Sequence, residues 1–159
     1  MEVKNLYSLD DFEDEASSIA IGLVRLAKNI PHHEFFFHLN QQNDFKFSRE
    51  EDLKLFGEEF DYTFPVFKTY SRSTKSCIHM ISNRSDEIIS KKPATELFAE
   101  DFNVKLLLNQ YQDVDFIVKT SDYYPDFSLI LLPETLAFQI QKIEIDSSQD
   151  LFQTIQYYE

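Results

Sequence analysis

Apolar and polar residues alternate with a period of two over several stretches of the chain, as they do in strands with one buried face. In Thr63–Tyr70, Phe64 and Val66 share a face with Lys68, and Phe67 lies on the other. In Ser76–Ser82, Cys77, His79 and Ile81 alternate against Ile78 and Met80. The polar run Ser71–Lys75 between them predicts an antiparallel hairpin. Pro65 has no N–H to donate, which predicts that its strand is an edge strand or starts at the proline. Val114–Thr120 and Phe138–Ile145 read as further strands, and Phe45–Phe47 and Glu87–Ser90 as short ones. Residues 17–26 fit two templates. Ile19, Leu23, Leu26 and Ala27 make a helical stripe, and Ile19, Ile21 and Leu23 make one face of a strand. Their Ile and Val content favours the strand.

Helical spacing is rarer. Pro31 suits a first helical turn, and Phe35, Phe36 and Leu39 give residues 31–41 an apolar face. Residues 50–57 read as a polar stretch ending in a turn at Gly57. Helices are expected over 93–112, over 126–136 with Pro133 at a kink or a fresh start, and within the tail 148–159. The order of elements predicts an α+β fold: a mixed, mostly antiparallel sheet with helices packed on one face. It reads as a single domain over 1–159, in which residues 1–16 form an acidic, loosely ordered start.

Composition narrows the function classes. Sixteen Phe and eight Tyr supply a core without metal or disulfide. Only two glycines occur, Gly22 and Gly57, far apart, so no glycine-rich phosphate loop can be built. Cys77 is the only cysteine, which excludes an internal disulfide and a cysteine-based zinc site. The net charge of −13 argues against direct nucleic-acid or anionic-membrane binding. The N-terminus lacks a signal-peptide pattern and no apolar run approaches ~20 residues, so a cytoplasmic protein is expected.

Candidate chemistry is sparse. His33 and His38 flank a phenylalanine run, but zincin histidines stand four apart on one helical face, and these are five apart. Cys77 and His79 share a strand face and could touch, although a free cysteine is usually a small core residue. The carboxylate pairs Glu50/Glu51, Glu58/Glu59, Asp86/Glu87 and Asp113/Asp115 are what 28 acids produce by chance. The basic residues Lys68, Arg72, Lys75, Arg84, Lys91 and Lys92 fall within 25 positions. They are either a solvated turn or a contact patch for an acidic partner.

One stretch, Leu108-Asn109-Gln110-Tyr111-Gln112-Asp113-Val114-Asp115-Phe116, resembles the motif of the IPExxxVDY family of small Bacteroidota proteins. Val114-Asp115-Phe116 matches its second half, and Leu108-Asn109-Gln110 stands where Ile-Pro-Glu would be. Ile19–Leu23, His33–Asn40 and Ile81–Ser85 are similar to further stretches of that family. The resemblance implies a cytoplasmic bacterial protein and supplies no catalytic residues. Taken alone, the motif reads as a helix end turning into a buried strand, with Asp115 on its exposed side.

The function expected is therefore a non-enzymatic protein-interaction or regulatory module with a protein partner and no cofactor. Two alternatives remain: an enzyme whose site is assembled from scattered residues, and an acidic partner or mimic for a nucleic-acid-handling protein.

Overall fold

The computed structural model describes residues 18–58, 60–90 and 104–155. They form β1 (Ser18–Val24), α1 (His32–Gln42), β2 (Ser48–Phe56), β3 (Phe60–Ser71), β4 (Ser76–Ser82), β5 (Glu87–Ser90), β6 (Phe116–Thr120), a 3-10 turn (Phe127–Leu129), β7 (Gln141–Asp146) and α2 (Asp150–Ile155). All described strands join one sheet in the order β2-β3-β4-β6-β1-β7, with β5 beside β3. Every pairing is antiparallel, so the expected parallel component is absent among the described residues.

The sheet is covered on both faces. On one, α1 sets Phe35 and Phe36 against Phe116 and Phe67. Phe36 stacks on Phe67 at 3.8 Å between ring centres, and Phe35 on Phe116 at 5.5 Å. Phe127, Ile130 and Ala137, from the segment after β6, close this core. On the other face, Leu151, Phe152 and Ile155 of α2, with Leu108 and Val114, cover Ile21, Leu23, Phe64, Ile81, Ile117 and Ile145. The expectation that the helices pack on one face is thus corrected. The inner strands carry apolar residues on both sides, as at Phe116, Ile117 and Val118, and each side needs a cover.

Pro65 is not on an edge strand. β3 lies inside the sheet, between β2 on one side and β4 and β5 on the other. The ladder to β2 shifts register between Glu50 and Leu53, opposite Pro65. On the other side, the pairings with β4 stop at Val66 and those with β5 begin at Thr63. The proline therefore sits where neither neighbour offers a ladder partner for the missing N–H.

Three other expectations change. Phe45–Phe47 is irregular, and the following polar stretch is the edge strand β2, whose bulge and acidic face hide the alternation. Residues 104–112 form a loop and not a helix, and the rest of the expected 93–112 helix falls outside the described residues. Residues 126–136 form the 3-10 turn, an irregular stretch and a second turn closed by the Leu136 and Ala137 N–H groups on the Pro133 carbonyl. The Asp126 side chain caps the 3-10 turn by accepting from the Ser128 N–H, and the turn ends at Leu129, short of the expected helix. The β3–β4 hairpin, β5, α1, a helix in the tail and a strand over Ser18–Val24 are where the pattern places them, while β6 starts at Phe116 and not at Val114, and β7 at Gln141 and not at Phe138. Gly22 is needed in β1 because a Cβ there would lie 2.7 Å from Ile140 Cγ2 and 3.3 Å from the Phe127 ring.

Candidate functional site

The basic residues singled out in the sequence do not form one patch. Lys68 is half-buried on β3, opposite His79. Arg72 and Lys75 are exposed in the β3–β4 turn, where Lys75 adopts the left-handed conformation at φ 54°. Arg84 lies beyond the other end of β4, ~23 Å away for a seven-residue strand. Its guanidinium donates to the Gln112 carbonyl at 3.0 Å. Lys91 and Lys92 fall outside the described residues.

The other candidates take structural positions. His33 is exposed and His38 half-buried on α1, and no group of three His, Cys, Asp or Glu among the described residues is placed to hold a metal ion. Cys77 and His79 do share a face of β4. Cys77 is half-buried and His79 buried, with Lys68 across from it on β3 and the buried Lys119 on β6. Asp113 accepts from Arg25 Nε at 2.7 Å, and this bond holds its carboxyl below the usual carboxylate range. Asp115 is half-buried, not exposed, and accepts from the Leu26 N–H at 2.7 Å.

Asn83, within the Ile81–Ser85 stretch, is fully buried. Its amide donates to the Tyr111 and Val114 carbonyls at 3.0 Å each, and its oxygen accepts from the Leu108 N–H at 2.8 Å. This side chain replaces the backbone bonds that a helix over these residues would have made. It holds the 107–114 loop against the end of β4, and so joins Leu108–Val114 to the Ile81–Ser85 stretch.

A polar cleft of about 530 Å³ opens beside this junction, lined by His32, Ser82, Arg84, Ser85, Asp86 and Asp115 among others. Its polar groups serve the fold. Ser82 Oγ donates to the Arg84 carbonyl at 2.9 Å, and Ser85 Oγ accepts from the Lys105 N–H at 2.9 Å. The His32 ring packs 5.0 Å from Phe116 and 5.9 Å from Phe67. Burial lowers its pKa, against the opposing pull of Asp86. Ring packing, a lowered pKa and hydroxyls bound to backbone groups describe a helix start docked on the sheet, not a nucleophile with its base.

The most exposed apolar surface lies elsewhere. Tyr123, Tyr124, Leu129, Leu131 and Phe138 are each more than half exposed and belong to the single segment between β6 and β7. Two grooves adjoin there. One, of about 750 Å³, runs between Gln42 and residues 127–140. The second, of about 820 Å³, shares Gln42 and Leu131 and continues past Leu129 to Tyr70 and Arg72 in the β3–β4 turn. Asn43 fixes the wall between them: its amide donates to the Leu39 and Leu131 carbonyls, and its oxygen accepts from the Leu131 N–H at 2.9 Å.

No family model, curated protein or solved structure matches this chain. The helix expected over 126–136 hides this surface in the sequence. The legible signal was the adjacent Pro133, which removes a helical donor, together with four consecutive apolar residues that no helical face could bury at once. Among the described residues, no helix is long and apolar enough to cross a membrane.

Proposed function

We propose that this chain is a cytoplasmic, non-enzymatic protein-interaction module that takes an apolar segment of a protein partner in the paired grooves between α1, the β3–β4 turn and residues 127–140. The observation that carries the reading is that Leu129, Leu131 and Phe138, each more than half exposed, line two adjoining grooves of ligand size. Contiguous apolar surface of this kind marks interaction sites on soluble proteins. Arg72 at the far end of the second groove, with Lys75 exposed in the same turn, favours a partner with an acidic residue beside its apolar anchors. Membership of the IPExxxVDY family belongs to the same proposal and adds no chemistry to it.

Peptide display against the purified protein tests this. Selected peptides are expected to carry two or more apolar residues with a neighbouring Asp or Glu. Their affinity, read by calorimetry, is expected to fall about ten-fold or more on Leu131→Asp and to fall on Arg72→Glu, both of which are exposed positions. Selection of no peptide, or of peptides indifferent to both substitutions, would overturn the proposal.

A further inference from the structure

The sheet ends in two edge strands, β2 and β7, and they are built differently. Free strand edges are templates for unwanted pairing, and proteins blunt them with bulges and charged side chains. β2 has a register shift between Glu50 and Leu53 and the consecutive acids Glu50, Glu51 and Asp52, which repel a second copy. β7 has no bulge, and the neighbouring charges Lys142 and Glu144 are opposite in sign. It pairs with β1 without interruption from Gln141 to Asp146, and no described strand lies on its outer side.

The sequence of β7 is also self-complementary. In an antiparallel pair of two β7 strands centred on Ile143, Ile143 faces Ile143, Lys142 faces Glu144 of the second copy, and Glu144 faces its Lys142. Opposite charges placed directly across an antiparallel pair stabilise it. Lys142 and Glu144 are exposed on β7, and among the described residues the Lys142 ammonium makes a long 3.5 Å contact to the Pro125 carbonyl and interacts electrostatically with Asp126. Ile143 is half-buried, with surface left to cover. The strongly exposed Tyr123 and Tyr124 line a crevice with Ser18 and Ala20 of β1 and Lys142 and Glu144 of β7, on the sheet face that carries the Lys142 and Glu144 side chains.

We propose that β7 is a homodimer edge: two copies of this chain join their sheets through antiparallel β7 strands in the register centred on Ile143, with Tyr123 and Tyr124 on the face that carries Lys142 and Glu144. A pair of short strands buries less than the ~1,200–2,000 Å² of a standard stable interface. The dimer therefore forms reversibly in the micromolar range. It uses a surface separate from the grooves and stands whether or not they bind a peptide.

Analytical ultracentrifugation of the full chain from micromolar to millimolar concentration tests the proposal, alongside Lys142→Glu, Glu144→Lys and the double exchange. Each single change sets two like-charge pairs across the seam, and dimerisation is expected to weaken about ten- to one-hundred-fold. The double exchange restores opposite charges and is expected to recover the wild-type constant. Circular dichroism and thermal melting of each variant establish that it is folded. A wild-type chain that stays monomeric at millimolar concentration overturns the proposal. So does a dimer indifferent to the single changes, or one that the double exchange fails to restore.

Discussion

Replacing Asn83 with Ala removes three hydrogen bonds from a site with no exposed surface. The Tyr111 carbonyl keeps one partner, the Val114 N–H at 3.2 Å. The Leu108 N–H and the Val114 carbonyl each lose the side-chain partner described above. Leu108 is 4% exposed and Val114 0%, so water reaches neither group without the loop opening. Leaving a buried backbone group unpaired costs about 1–3 kcal/mol, so two of them cost about 2–6 kcal/mol. For a chain of this size that lowers the melting temperature by about 4–24 °C. Urea unfolding gives the free energy directly, and hydrogen exchange at the Leu107 and Leu108 amides locates the loss. Asn83→Asp keeps the acceptor for Leu108 but sets a carboxylate against two carbonyls. It should lose at least as much at neutral pH and recover part of the loss in acid, where the protonated group regains a donor. An Asn83→Ala cost below about 1 kcal/mol would show that the clamp does not hold the loop.

Asn43→Ala should cost about 2–3 kcal/mol in chemical denaturation, because it orphans the Leu131 N–H and carbonyl while α1 itself remains. Gly22→Ala should cost about 1–3 kcal/mol by the same measurement, since its methyl group meets Ile140 at 2.7 Å. His32 has a folded pKa below its ordinary 6.5, chiefly from burial, opposed by Asp86 and Asp115 and assisted by Arg49. As pH falls the unfolded chain takes up the proton first, so this contribution is complete above about pH 6.5 and is lost as pH drops through that value towards the folded pKa. His32→Phe keeps a ring against Phe67 and Phe116, and it should show a shallower loss of stability between about pH 7 and 5 when melting is followed across pH. An unchanged slope would place that pH dependence on other groups.

Strands whose alternation is backed by cross-strand packing were readable. Ile78, Met80 and Ile81 within β4, and Phe116 to Val118 within β6, are all buried as their pattern implies. β1 was ambiguous by period and is decided by its long-range partners β6 and β7, which local spacing cannot contain. β2 was hidden by its bulge and its acidic outer face. The 104–112 loop failed because its apolar residues happen to fall at helical spacing, whereas its backbone bonds go to Asn83 and Ser85. The basic residues show a similar limit: closeness along the chain placed Arg72 and Arg84 together, and an intervening strand sets them at opposite ends. The grooves depend on which apolar residues the fold leaves uncovered, and that is settled only once α1 and Asn43 are in place.

The position of β1 has a consequence in time. It lies between β6 and β7, and its Ile21 pairs with Ile143, about 120 residues later in synthesis. On the ribosome, the β2–β3–β4 meander can pair locally as it emerges. β1 must wait, with Ile19, Ile21 and Leu23 without their β6 and β7 partners, until those strands have been made. The rate of completing the sheet is then set by the emergence of β7, and during that interval the nascent chain presents an apolar strand of the kind that chaperones hold.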